Sequence, residues 1–133
     1  MKTRYTIASA LLAGVGIGAV AVQSLHAQTN RSVYLVTEID VTDPGAYGTE
    51  YAPKVQASVK AAGGRIIALG GTGGAGAKFV TQVEGQPPKR VVIQVWDSLQ
   101  KMQAWRSSDD YREARKIGDQ YAKFRSYAVD ALN

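Results

Sequence analysis

The chain has 133 residues, a formal net charge of +5 and no cysteine. One domain fits that length and two do not. The absence of cysteine removes disulfides, thiolate nucleophiles and cysteine zinc sites together. Lys2 and Arg4 fall in a targeting segment, so the rest carries 14 Lys and Arg against 11 Asp and Glu, interleaved as in Tyr111-Arg112-Glu113-Ala114-Arg115-Lys116. Mixed charge of this kind marks a solvated helix face, whereas nucleic acid asks for an unbroken basic stripe. No nucleic-acid partner is therefore expected.

Met1-Lys2-Thr3-Arg4 is a short positive segment, Ile7 to Val22 is apolar and small, and Ser24-Leu25-His26-Ala27 then offers a small residue for cleavage. That order is a signal peptide over residues 1–27, with Ser24 a second cleavage candidate, and residues 28–133 form the mature domain. The apolar run is shorter than the ~20 residues of a membrane span and contains Gly14, Gly16 and Gly18, so an uncleaved anchor is the lesser alternative. There is no cysteine for lipidation and no Arg-Arg pair for twin-arginine export. A periplasmic or secreted protein, free of the membrane after cleavage, is the expectation.

Val33 to Val41 is rich in β-branched and aromatic residues and reads as the first strand. Asp43 precedes Pro44 as a helix cap followed by a first-turn proline, and Tyr47, Tyr51, Val55 and Val59 recur every four residues. The first helix is thus predicted from Pro44 to about Ala62, kinked at Pro53 and stopped by Gly63-Gly64. Arg65 to Leu69 is a short strand, Lys78 to Val83 reads as a third, and Arg90 to Trp96 is a near-continuous apolar run suited to a central strand. Asp97 or Ser98 caps a second helical region that Ser107 to Asp110 interrupts and that resumes through Tyr111, Ala114 and Tyr121. Phe124 to Val129 is the last strand.

The order is read as β-α-β-β-α-β, an α+β ferredoxin-like unit with helices on one sheet face. Val91, Ile93 and Val95 share one side of the central strand and Val92, Gln94 and Trp96 the other, so neither side is designed for water. A homodimer with two such sheets face to face would bury both.

Laid out this way, the chain resembles the uncharacterised bacterial family known as domain of unknown function 1330, of the dimeric α/β barrel group. The resemblance rests on Tyr34 to Val41, Asp43-Pro44 with Tyr47 and Tyr51, Gly63-Gly64-Arg65, Glu84-Gly85, Val91 to Ser98, and Trp105-Arg106-Ser107 with Tyr111. It implies a ferredoxin-like protomer and a homodimer, and it implies no agreed reaction. Two features depart from the family pattern: a longer connection from Gly70 to Lys78, and Gly118 where an arginine is expected late in the second helix.

Gly71-Thr72-Gly73-Gly74-Ala75-Gly76 satisfies G-x-G-x-x-G, but a strand rather than a helix is expected to follow, and only a helix would aim its amide N–H groups at a phosphate. The connection reads as a flexible hairpin. His26, the single histidine, lies in the targeting segment, so the mature domain lacks the usual ligands and bases for zinc, haem or triad chemistry. Asp40, Asp43, Asp109 and Asp110 are better placed for capping than for a hard cation. No metal and no cofactor are expected.

Within the barrel that the resemblance implies, residues can line a cavity between sheet and helices. The catalytic candidates are Glu38 as a general base and Tyr47 and Arg65 as oxyanion stabilisers; the ligand-binding candidates are Tyr51, Trp105 and Tyr111. Against them stands the ordinary core role of tyrosines at helical spacing, and a sheet-edge ion pair for Glu38 or Arg65. Three functions follow. The first is an accessory module binding a small, partly apolar molecule. The second is a cofactor-free enzyme, such as a monooxygenase, isomerase or dehalogenase-like protein, with a carboxylate in the cavity. The third is a structural dimer whose barrel is filled.

Overall fold

The computed structural model describes residues 31–71 and 80–132. The segment read as a signal peptide lies outside the described residues, as does all of the glycine motif except Gly71.

Strand β1 spans Val33–Val41, with Val33, Leu35, Ile39 and Val41 buried and Tyr34 and Asp40 exposed. Asp43 then starts helix α1: its Oδ1 accepts the Ala46 N–H at 3.0 Å while Pro44 fills the first helical position, where a missing N–H costs nothing. Helix α1 runs through Pro44–Ala46, a wider π turn at Tyr47–Tyr51, and a regular helix at Ala52–Ala61. The irregularity expected at Pro53 is absorbed by that turn. A proline ring crowds the carbonyl four residues back, and one extra residue in the preceding turn relieves the crowding, with the Ala52 N–H reaching Tyr47 O. Gly63, at φ 89°, ends the helix, and the Gly64 N–H returns to Val59 O at 2.9 Å.

Strands β2 (Arg65–Gly71) and β3 (Arg90–Trp96) follow. The strand expected at Lys78–Val83 does not form over its described part, Val80 to Val83. The chain is turning there: the Gln82 side-chain amide donates to Gly85 O at 2.9 Å and Gly85 has φ 68°. The second helical region is two helices, α2 (Leu99–Ser107) and α3 (Asp109–Tyr121). Ser98 caps the first by accepting the Lys101 N–H, and Ser108 breaks the pair because its extended backbone caps α3 through the Tyr111 N–H. Asp109 and Asp110 thus sit in the first turn of α3, where carboxylates favour the positive helix end. Strand β4 is Ala122–Asp130.

The sheet order is β2-β3-β1-β4, every neighbouring pair antiparallel, which makes this an α+β ferredoxin-like fold. A bulge between Ile66 and Ala68 shifts the β2–β3 register. The helices cover one face. Trp96, Val33 and Val59 are fully buried there, each contributing on the order of 1.5–3 kcal/mol or more by leaving water. The other face carries Tyr34, Tyr127 and Val129, 38%, 44% and 51% exposed, beside half-buried Val36, Ile93 and Val95. No helix among the described residues is long and apolar enough to cross a membrane.

Candidate functional site

Alternate residues of a strand share a face, so β1 and β3 direct Thr37, Ile39, Arg90, Val92 and Gln94 toward the helices. Helix α1 brings Tyr47 and Tyr51 over them, α2 brings Trp105, and α3 brings Tyr111 and Arg115 one turn apart. These groups do not meet completely. They line a cavity, partly open to solvent, of about 40 Å³, taken as the space open to the centre of a water molecule.

The lining mixes aliphatic side chains, Val55, Ile66, Leu69 and Val92, with phenolic, amide and cationic ones. Tyr47 and Tyr51 pack at 5.1 Å between ring centroids, and Tyr51 meets Phe124 edge-on at 5.4 Å. Trp105 lies 5.1 Å from Trp96 and 4.4 Å from Tyr111, its indole N–H fixed by Ser58 Oγ at 3.0 Å. Trp96 in turn donates to Gln94 Oε1 at 3.0 Å, which orients that amide.

Two tyrosines are coupled to arginines. Arg90, only 5% exposed, places its guanidinium 5.1 Å from the Tyr47 ring centroid and hydrogen-bonds the phenol. Arg115 donates to the Tyr111 hydroxyl at 3.1 Å and to Asp119 Oδ1 at 2.6 Å, and its guanidinium stacks 3.9 Å from the centre of the Phe124 ring. Burial raises the pKa of Tyr47, with Arg90 opposing it. Burial also raises that of Tyr51, reinforced by the neighbouring phenols Tyr47 and Tyr111. Desolvation works against the Arg115 cation, but its bonds to Asp119 and Tyr111 outweigh it and its pKa ends above the usual value. The Tyr47 and Tyr51 phenols are therefore protonated and the Arg115 guanidinium charged at any physiological pH.

Of the residues singled out from the sequence, Tyr47, Tyr51, Trp105 and Tyr111 line this cavity together. Glu38 and Arg65 do not. Glu38 projects from the opposite sheet face and pairs with Arg125 Nε at 2.6 Å; Arg65 opens edge strand β2 and is exposed. Arg90, Gln94 and Arg115 are lining residues that sequence reasoning passed over. The signal for the strand pair was present: Arg90 and Gln94 interrupt the apolar run at alternate positions, on the side of Trp96. Arg115 was legible as the partner of Tyr111 four residues earlier on one helix face.

Gly118 stands where the family pattern led to an expected arginine. A Cβ there would lie 2.7 Å from the Tyr51 ring and 3.1 Å from that of Phe124, so the position is given over to the aromatic pair. Among the described residues, no three His, Cys, Asp or Glu are grouped to hold a metal ion.

The fold recurs among solved structures. A protein of unknown function from Rhodopseudomonas palustris matches with a TM-score of 0.58 at 16% identity, covering 86% of this chain and 93% of that one. A conserved protein of unknown function from Bacteroides thetaiotaomicron matches at 0.55 and 12%, over 77% and 99%. SnoaB, a cofactor-independent oxygenase from Streptomyces nogalater, matches at 0.55 and 12%, over 77% and 95%. At such identities the likeness is one of fold. No curated protein matches the sequence at significant similarity. The pattern of the domain of unknown function DUF1330 extends over residues 32–132, the whole described sheet and its helices, and the chain belongs to that family.

Proposed function

We propose that this is an exported homodimeric module that binds a small, partly apolar molecule in the cavity between sheet and helices. The cavity itself carries the reading: its lining combines aliphatic side chains with phenol, amide and guanidinium groups, and a preformed concave site of this mixed character is what ligand binding requires. Export is supported by the sequence order of residues 1–27. Dimerisation is supported by the uncovered sheet face, where Tyr34, Val36, Ile93, Val95, Tyr127 and Val129 form a contiguous apolar area that water solvates poorly.

The enzyme alternative draws on the fold shared with a cofactor-independent oxygenase. As framed from the sequence it asks for a carboxylate within the cavity, and no Asp or Glu belongs to the lining. The binding reading needs no such base.

Native mass spectrometry of the chain recovered from the cell envelope tests the proposal. A dimer carrying added mass is the expected result. A bare monomer that takes up no small molecule on incubation overturns it.

A further inference from the structure

We infer that the ligand is a compact monocarboxylate, its alkyl part against Val55, Ile66, Leu69 and Val92 and its anionic end held by the Tyr47–Arg90 and Tyr111–Arg115 pairs. This rests on the binding reading above and adds the charge and size of the ligand. Three observations converge on it.

The first is the sign of the site. Arg90, Arg106 and Arg115 belong to the lining, and no Asp or Glu does. Asp119 answers Arg115 from the solvent side, through Nε, with more than half its own side chain exposed. Partly buried guanidinium groups favour an anion more than they would in bulk water.

The second is the direction of the hydrogen bonds. Tyr111 Oη accepts from Arg115, and Arg90 hydrogen-bonds Tyr47. A guanidinium has only donors, so each phenol oxygen acts as the acceptor and keeps its own hydrogen to donate elsewhere. A donating phenol polarised by a cation suits a carboxylate oxygen, and such charge-assisted bonds are stronger than neutral ones.

The third is capacity. A pocket with only about 40 Å³ open to the centre of a water molecule favours a compact ligand over a fused-ring one. Val55, Ile66, Leu69 and Val92 give the alkyl part a dry surface.

The test compares sodium butyrate with butyramide, a neutral analogue of nearly the same shape, on the purified full chain. The readout is the indole N–H resonance of Trp105, with the unlined position Trp96 as a second reporter. Butyrate is expected to shift the Trp105 signal saturably and to bind about tenfold more tightly than butyramide, the worth of one charge-assisted hydrogen bond. Arg115→Gln is expected to remove about that factor for butyrate and to weaken butyramide far less; Arg90→Gln provides the second variant, and both are checked for folding by circular dichroism. Equal binding of butyrate and butyramide overturns the anion assignment and leaves the cavity reading standing. Butyrate affinity retained in both arginine variants also overturns it. If neither compound moves Trp105 the anion assignment is overturned, and if pressurised xenon does not move it either, the cavity reading falls as well.

Discussion

Replacing Gly118 by alanine is expected to destabilise the protein, although alanine is the better helix former. The added Cβ would lie 2.7 Å from two carbons of the Tyr51 ring and 3.1 Å from Phe124, well inside the ~3.5–4.0 Å of a relaxed carbon contact. Tyr51 packs against Tyr47 at 5.1 Å and Phe124 at 5.4 Å, so any retreat of its ring disturbs both contacts. Overpacking of this sort costs roughly 1–3 kcal/mol, while the gain in helix propensity returns about 1 kcal/mol. The net expectation is a loss of about 1 kcal/mol, which lowers the melting temperature of a domain near 100 residues by roughly 4–8 °C. Gly45→Ala is the matched control: its Cβ would meet only Asp43 Oδ1 at 3.6 Å, so its melting point should stay level or rise. Thermal unfolding of the two variants and the parent, followed by far-ultraviolet circular dichroism, decides the matter. A Gly118→Ala protein that melts at or above the parent would show that Tyr51 moves freely, and the close-packing account of this position would be wrong.

Ser108→Ala should cost about 1 kcal/mol, seen as a lower urea midpoint with unchanged slope, because the hydroxyl caps α3 through Tyr111 N–H and also donates to Trp105 O at 2.6 Å. Glu38→Gln should change stability by less than about 0.5 kcal/mol and leave the butyrate response of Trp105 intact, since its partner Arg125 is largely exposed and both lie outside the cavity; a lost response would place Glu38 in the site after all. Alkaline pH should destabilise the fold. Tyr47 and Tyr51 have pKa values raised by burial, so the folded state holds protons that the unfolded chain releases above pH ~10; stability is full below that pH and falls as pH climbs past it. Absorbance of phenolate near 295 nm should accordingly show these two rings titrating only as the protein unfolds, and early titration of all tyrosines would contradict their burial.

The fold was legible where pattern and punctuation agreed. Asp43-Pro44 and Gly63-Gly64 bracket α1 by cap chemistry alone, and Arg90 to Trp96 has the density of apolar residues that a central strand needs. The expected strand at Lys78 to Val83 shows why pattern alone falls short: over its described part, Val80 to Val83, Gln82 and Gly85 make a turn instead. Ser107 to Asp110 read as an interruption, and only the extended backbone of Ser108 shows one cap serving as the end of one helix and the start of another. In the candidate site, the helical period brought Tyr47 and Tyr51 together and the strand period grouped Gln94 with Trp96. Glu38 and Thr37 are neighbours in sequence, yet only Thr37 reaches the cavity, because a strand sends consecutive side chains to opposite faces. Which of the two faces the helices would cover depended on contacts between segments far apart in the chain, and no local signal carries that.

The pairing of β1 with β4 has a consequence for how the domain comes to exist. Val33 faces Asp130 and Val41 faces Ala122, and the Ala131 N–H closes on Ser32 O, so the first strand of the domain waits for its last. Until Ala122 to Asp130 is available, β1 has one bare edge, and the loop to be closed spans nearly the whole domain, which makes the search slow by comparison with folds built on local contacts. The same adjacency leaves Ser32 and Ala131 side by side, close enough for a short linker to join them. The fold is thus a ring in all but covalent continuity, and a chain recut at the Glu84-Gly85 turn with those two residues joined would trace the same sheet.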